Sequence, residues 1–154
     1  MEYRIAHVND IDAIISLWQE ARIYHEELDP RLMMLPDAAT QVQDYYHEQI
    51  SSEDAAFYLA FEKQVPVGYI CAQLQKRAPV YKYSQVGFID GLFVKEEFRR
   101  IGVGKKLVEL ALSWFQEREI DRIQLNVASL NQPGIDFWKK CGFTDMMHRM
   151  NMQI

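Results

Sequence analysis

A chain of 154 residues, 49% hydrophobic and 25% charged, has the size and composition of one globular domain with a substantial core. No apolar run approaches the roughly 20 residues that span a bilayer, and Met1-Glu2-Tyr3-Arg4 lacks a secretory leader's basic start and apolar core, so a cytoplasmic protein without membrane contacts is expected. A net charge of −5 argues against nucleic-acid binding, while Cys71 and Cys141 stand far apart without metal-ligating neighbours, so neither a metal site nor a disulfide framework is expected.

Tyr3 to His7 reads as a short strand. Asn9 then caps a helix whose stripe is Ile11, Ile14, Ile15, Trp18 and Ala21, and which runs out near Tyr24-His25-Glu26-Glu27. Asp29-Pro30 and Leu35-Pro36 forbid its continuation, because the residue before proline is pushed out of helical geometry. Ala38 to Ile50 is a second, weaker helix. Phe57 to Phe61 and Val67 to Leu74 form a hairpin that turns around Lys63-Gln64, and Arg77 to Ser84 is a loop carrying Tyr81 and Tyr83. Phe88 to Val94 is an apolar strand leading into a charged, glycine-bearing turn and then an amphipathic helix through Val103, Leu107, Leu110, Ala111 and Trp114. Asp121 to Val127 is the next strand, and Asn131-Gln132-Pro133 opens a short helix that Cys141-Gly142 ends. The alternation of Met146, His148, Met150, Met152 and Ile154 with polar residues predicts a final half-buried strand, whose apolar side suggests a homodimer contact. The order β-α-α-β-β-β-α-β-α-β, without repeats or linkers, predicts one α/β (α+β) domain over residues 1–154.

The strand-turn-helix around Arg99-Arg100-Ile101-Gly102-Val103-Gly104-Lys105 carries the chemistry. A helix start aims unpaired N–H groups and the positive end of its dipole at one point, glycines let a ligand approach the backbone, and the basic residues add charge. This is a polyphosphate cradle. Gly102 and Gly104 are too close together for the Walker pattern, and Leu107 stands where the dinucleotide fingerprint needs a third glycine.

The pattern Arg-x-x-Gly-x-Gly resembles instead the pyrophosphate loop of the GNAT superfamily of N-acetyltransferases. Ile89 to Val94 resembles the family's strand before that loop, Leu125-Asn126-Val127 its next parallel strand, and Asn131 to Phe143 its Asn-x-x-Ala-x-x-Phe-Tyr-x-x-x-Gly-Phe segment. The resemblance implies a mixed, mostly antiparallel sheet with a splayed parallel strand pair and helices on both faces. It also implies an acetyl-CoA-dependent N-acetyltransferase moving an acetyl group to a primary amine of a small molecule or peptide by direct attack.

On that resemblance Arg99 to Lys105 hold the pyrophosphate, Leu92, Phe93 and Val94 hold the pantetheine arm and acetyl group, and Asn131 and Trp138 flank the cofactor. Gly91 is the expected bulge, and the Leu92 N–H is the candidate donor to the acetyl carbonyl. Trp138 stands where the family has a tyrosine acid. Tyr83, Tyr81, Tyr24 or Ser129 would substitute, or water, or no acid at all, since a thiolate is a tolerable leaving group. Asp90, two residues before Leu92 and on its face by alternation, is the candidate contact for the amine or a base acting through water; the alternative is a merely solvated aspartate. Tyr24 and Glu27 fall where the family's substrate-covering loop lies, although such a run is more often simply a polar helix end. A rival reading keeps the cofactor pocket but makes the protein a catalytically weak acyl-CoA sensor or interaction module.

Overall fold

The computed structural model describes residues 1–154. Strands β1 (Glu2–Ile5), β2 (Ala55–Glu62), β3 (Val65–Lys76), β4 (Gln85–Val94) and β5 (Ile123–Leu125) form one sheet in sequential order. All neighbours are antiparallel except β4 and β5. The β2–β3 hairpin closes over Lys63 and Gln64, both at positive φ, the turn geometry that matches strand twist.

Helices α1 (Ile11–Leu28) and α2 (Ala38–Ile50) cover one face, and α3 (Val103–Gln116) and α4 (Gln132–Lys140) the other. Two apolar cores result. Ile14, Leu17 and Trp18 of α1 meet Phe57, Leu59, Tyr69 and Phe93 on the first face. Leu107, Ala111, Trp114 and Phe115 of α3 meet Ile70, Ala72, Ile89 and Val94 on the second. The expected mixed sheet with a parallel pair is therefore present.

Three expectations need correction. The helix α1 continues through Tyr24 to Leu28, so Tyr24 and Glu27 stand on its last turn and a half, the polar helix end rather than the substrate-covering loop. The connection after it is tied back by Glu26, which accepts from Arg22 at 2.7 Å and from the Met34 N–H at 2.9 Å. Strand β5 is only three residues long. The C-terminal segment forms no strand, and Met147, Met150, Met152 and Ile154 are exposed. Alternation there specifies two faces, but no element is placed to cover the apolar one.

The turn into α1 is held by Asp10 rather than by Asn9. Its carboxylate accepts two bonds of 2.8 Å from the Arg4 guanidinium and one of 2.9 Å from the His7 N–H. Those bonds, the Arg4 pair above all, hold its pKa down at about 2. A carboxylate whose pKa is depressed on folding contributes stability above its unfolded value, and loses it as pH falls through the folded one. Asp10→Asn should therefore cost about 1 kcal/mol at neutral pH, a fall of about 2–4 °C in melting temperature. In melts at stepped pH the difference from wild type should close between about pH 4 and pH 2.

Candidate active site

The site is created by one extra residue in β4. Cys71 lies opposite Gly91, but its neighbour Ala72 lies opposite Ile89, so Asp90 has no partner on β3. This is a bulge, and it reverses the parity of the strand. Before it, Ile89 faces the α3 core; after it, Leu92 and Val94 do so. Asp90 instead faces α2, where its Oδ2 lies 3.5 Å from the Tyr46 hydroxyl. The alternation argument that put Asp90 and Leu92 on one face is thus overturned. Gly91 belongs to the same device, because a Cβ there would come within 2.9 Å of the Tyr69 hydroxyl.

The bulge also ends the pairing with β5. Registered pairs run from Gly87–Ile123 to Ile89–Leu125 and stop, leaving the rest of β4 without a neighbour on that edge. The Lys95 N–H donates to the Val67 carbonyl at 2.9 Å, so by alternation the backbone groups of Phe93 and Gly91 turn toward β3. Those of Leu92 and the N–H of Val94 turn into the gap, while the Val94 carbonyl is taken by Arg99. Here is the unpaired stretch of backbone that an extended ligand arm would need.

At the end of β4 the chain enters the basic turn. Arg100 has φ 64° and Gly102 φ 94°, two left-handed residues that swing the chain from strand into α3. The N–H groups of Val103, Gly104 and Lys105 have no carbonyl one turn earlier to receive them, and the Gly102 side of the turn is open. Arg100 and Ile101 are exposed. Arg99 behaves differently: its Nε donates to the Val94 carbonyl at 2.8 Å, and its guanidinium lies 5.3 Å from the Tyr24 ring centre and 5.5 Å from that of Phe93. Free N–H groups, a left-handed glycine and unpaired Arg100 and Lys105 together fit a diphosphate.

The acetyltransferase (GNAT) family matches residues 15–143, most of the chain, including the bulged strand and the turn. The chain belongs to the GNAT acetyltransferase family. Acetyl-CoA is that family's acetyl donor. The chain is 32% identical to the streptothricin acetyltransferase of Escherichia coli over 102 residues, which are 66% of this chain and 55% of that enzyme, so it spans about half of that relative. It is 26% identical to an N-alpha-acetyltransferase of Sulfurisphaera tokodaii, covering 94% of this chain and 82% of the other. A predicted acetyltransferase from Clostridium acetobutylicum, solved with acetyl-CoA, superposes with a TM-score of 0.79 at 19% identity, over 99% of this chain and 95% of that one.

Within this GNAT fold the remaining predicted residues separate. Tyr24 and Glu27 line a cleft of about 360 Å³ with Glu20, Ile23, Phe93, Glu96, Glu97 and Arg99, at the turn end of β4. Lys95 pairs with Glu20 at 2.9 Å on its edge. Tyr24 donates to the Asn131 Oδ1 at 3.1 Å, and the same oxygen accepts from the Gly134 N–H at 3.1 Å, so Asn131 caps α4 and ties it to α1. Trp138 packs edge-on between Phe137 and Phe143, at centroid distances of 5.1 and 5.3 Å, as a flank of the α3 core. Tyr83 is not brought to the site. It precedes β4 and accepts from Arg122 at 3.1 Å, whereas Asp90 lies in the middle of that strand.

The two glycines of the turn have separate duties. Gly102 supplies the backbone conformation, whereas a Cβ at Gly104 would press on the Phe137 ring at 3.3 Å, so its absence lets α4 close against α3. Sequence reading missed the polar groups beneath Asp90. Tyr46 was legible only as a hydroxyl on the Ala39-Val42-Tyr46-Ile50 stripe of α2. It also missed Gly134, where the family pattern has alanine. A Cβ there would fall 2.5 Å from the Asn131 Nδ2, so glycine is what lets the Asn131 amide fold over its own helix.

Gly134→Ala should displace that amide and cost about 1 kcal/mol, the worth of a helix cap, without changing the fold. Thermal melts of Gly134→Ala, Asn131→Ala and the double variant check this. The double variant should be no less stable than Asn131→Ala.

Proposed function

We propose that this protein transfers the acetyl group of acetyl-CoA to a primary amine of a small molecule or peptide by direct attack, with the acceptor entering from the α1/α2 face. The observation that carries the reading is the bulge at Asp90, which opens the sheet toward β5 and places a carboxylate on the opposite side of the strand from Leu92. When bound, acetyl-CoA would supply a thioester carbon to the attacking amine, the amide C–N bond forming as the C–S bond breaks and CoA departs as a thiolate.

The chain's own residues do the rest. The N–H groups of Val103 to Lys105, with Arg100 and Lys105, hold the diphosphate at the helix start. Leu92 and Val94 offer backbone groups to the pantetheine arm, and the Leu92 N–H polarises the acetyl carbonyl, a type of contact worth about a hundredfold or more in rate. Phe93 faces the acceptor cleft instead. Asp90 attracts the ammonium and takes its proton, directly or through water. It forms no ion pair within the protein, and although solvent reaches it, burial among neighbouring rings pushes its pKa up. The raised pKa makes it a better proton acceptor than an ordinary carboxylate. With Glu20 taken by Lys95, the carboxylates of Glu27, Glu96 and Glu97 outnumber Arg99 around the cleft and favour a cationic acceptor. The names of the two relatives fit an amine acceptor, one being a streptothricin and the other an N-alpha-acetyltransferase.

The sensor reading draws support from Trp138, whose indole is packed in aromatic contacts and brings no acid to the thiol. Thiol release from acetyl-CoA across a panel of amines decides between them. Acetyl-CoA at a hundredfold excess over its Kd should raise the melting temperature by about 5–10 °C. Arg100→Glu with Lys105→Glu should weaken that binding by about 10-fold or more. Asp90→Asn should keep the binding but lose about 10²–10⁴-fold in kcat/KM for the amine. In the wild type kcat/KM should fall as acid protonates Asp90, with the limb displaced upward from that of a freely solvated aspartate. Unchanged turnover in Asp90→Asn removes the base from the mechanism.

A further inference from the structure

We infer that Tyr46 is a positioning residue for acetyl transfer: its hydroxyl, delivered from the buried side of α2, fixes the Asp90 carboxylate in the orientation that meets the incoming ammonium. The inference rests on the role proposed for Asp90. It explains why a polar group interrupts the apolar side of α2.

Tyr46 is 3% exposed and is the one fully buried residue of its helix. Its ring fills the α1/α2 core edge-on to Phe57, at 5.0 Å between centroids, so packing alone would be served by phenylalanine. A buried hydroxyl without a partner costs stability, which makes its direction informative. Its Oη points to the bulge, 3.5 Å from Asp90 Oδ2, with the Tyr69 phenol as its other polar neighbour. A separation of 3.5 Å is a loose bond, of the kind that tightens when a substrate completes the site.

The surroundings leave Asp90 few other means of orientation. The titratable groups facing it are Tyr45 and Tyr46 of α2 and Tyr69 and Cys71 of β3. On the same face α1 turns Ile14, Leu17, Trp18 and Ala21 into the core. Tyr45 is occupied elsewhere, exchanging bonds of 3.1 and 3.0 Å with the Gln73 amide. No lysine, arginine or histidine lies within ion-pair distance of Asp90. No other hydrogen bond within the protein reaches that carboxylate, so the Tyr46 hydroxyl is its one hydrogen-bond restraint.

Tyr46→Phe keeps the ring and removes only the donor. The expected result is a fall of about tenfold in kcat for the amine reaction, with the KM for acetyl-CoA unchanged. The acid limb of the pH profile should move to higher pH, since a hydrogen bond to the ionised carboxylate favours that form and its loss disfavours it. Tyr45→Phe, which removes a hydroxyl bonded to Gln73, should leave the limb in place. A Tyr46→Phe protein that melts lower but keeps the wild-type kcat and pH profile overturns the inference, since Tyr46 would then serve packing alone. Asp90→Asn measured alongside separates the two readings. If it retains turnover, the base assignment fails; if it is inactive while Tyr46→Phe is unaffected, only the positioning role fails.

Discussion

A single unpaired residue on β4 governs the rest of the site. Without Asp90 in the bulge, β4 would keep its parity, and Leu92 and Val94 would exchange faces with Phe93. The strand would also remain aligned with β5 past Leu125, and the gap would close. The bulge thus does three things together. It exposes backbone toward β5, turns a carboxylate toward α2, and keeps the apolar residues on either side in their proper cores. Its cost is a lost ladder position, and the Tyr69 hydroxyl occupies the space that Gly91 leaves open.

The parts of this arrangement that are local in sequence were legible in it. The basic turn could be read from Arg99 to Lys105 because the glycine spacing and the following amphipathic stripe lie within one helix-start motif. Gly91 marked the bulge because glycine within an apolar strand has few other reasons to be there. The direction of Asp90 could not be read, because a period of two holds only while the ladder is regular, and the bulge breaks it by one residue. Contacts between distant segments were equally hidden. Tyr24 and Asn131 lie 107 residues apart, and nothing in either neighbourhood announces their bond. Tyr83 was drawn in by its residue type; its position before β4 rather than after it sets it at the wrong end of the strand.

The C-terminal segment shows the opposite failure. Its pattern is a faithful strand signature, but pattern states only which residues would share a face. Burial needs a covering element, and here Met150 and Ile154 meet none. The glycines carry a related lesson. Gly102 answers to backbone geometry, Gly104 to the Phe137 ring, and Gly134 to the Asn131 amide, so residues of one type in one neighbourhood meet three separate demands.

The sheet divides the interior into two cores with separate residues, one under α1 and α2 and the other under α3 and α4. On the proposed reading, the groups that meet the acetyl donor lie mainly beside the second core and those that meet the acceptor beside the first. Substitutions that recontour the α1/α2 face can therefore accumulate while the turn, α3 and α4 keep their packing. Such a division is a physical route to evolvability, in which acceptor preference drifts on one side of a partition while the machinery on the other is conserved.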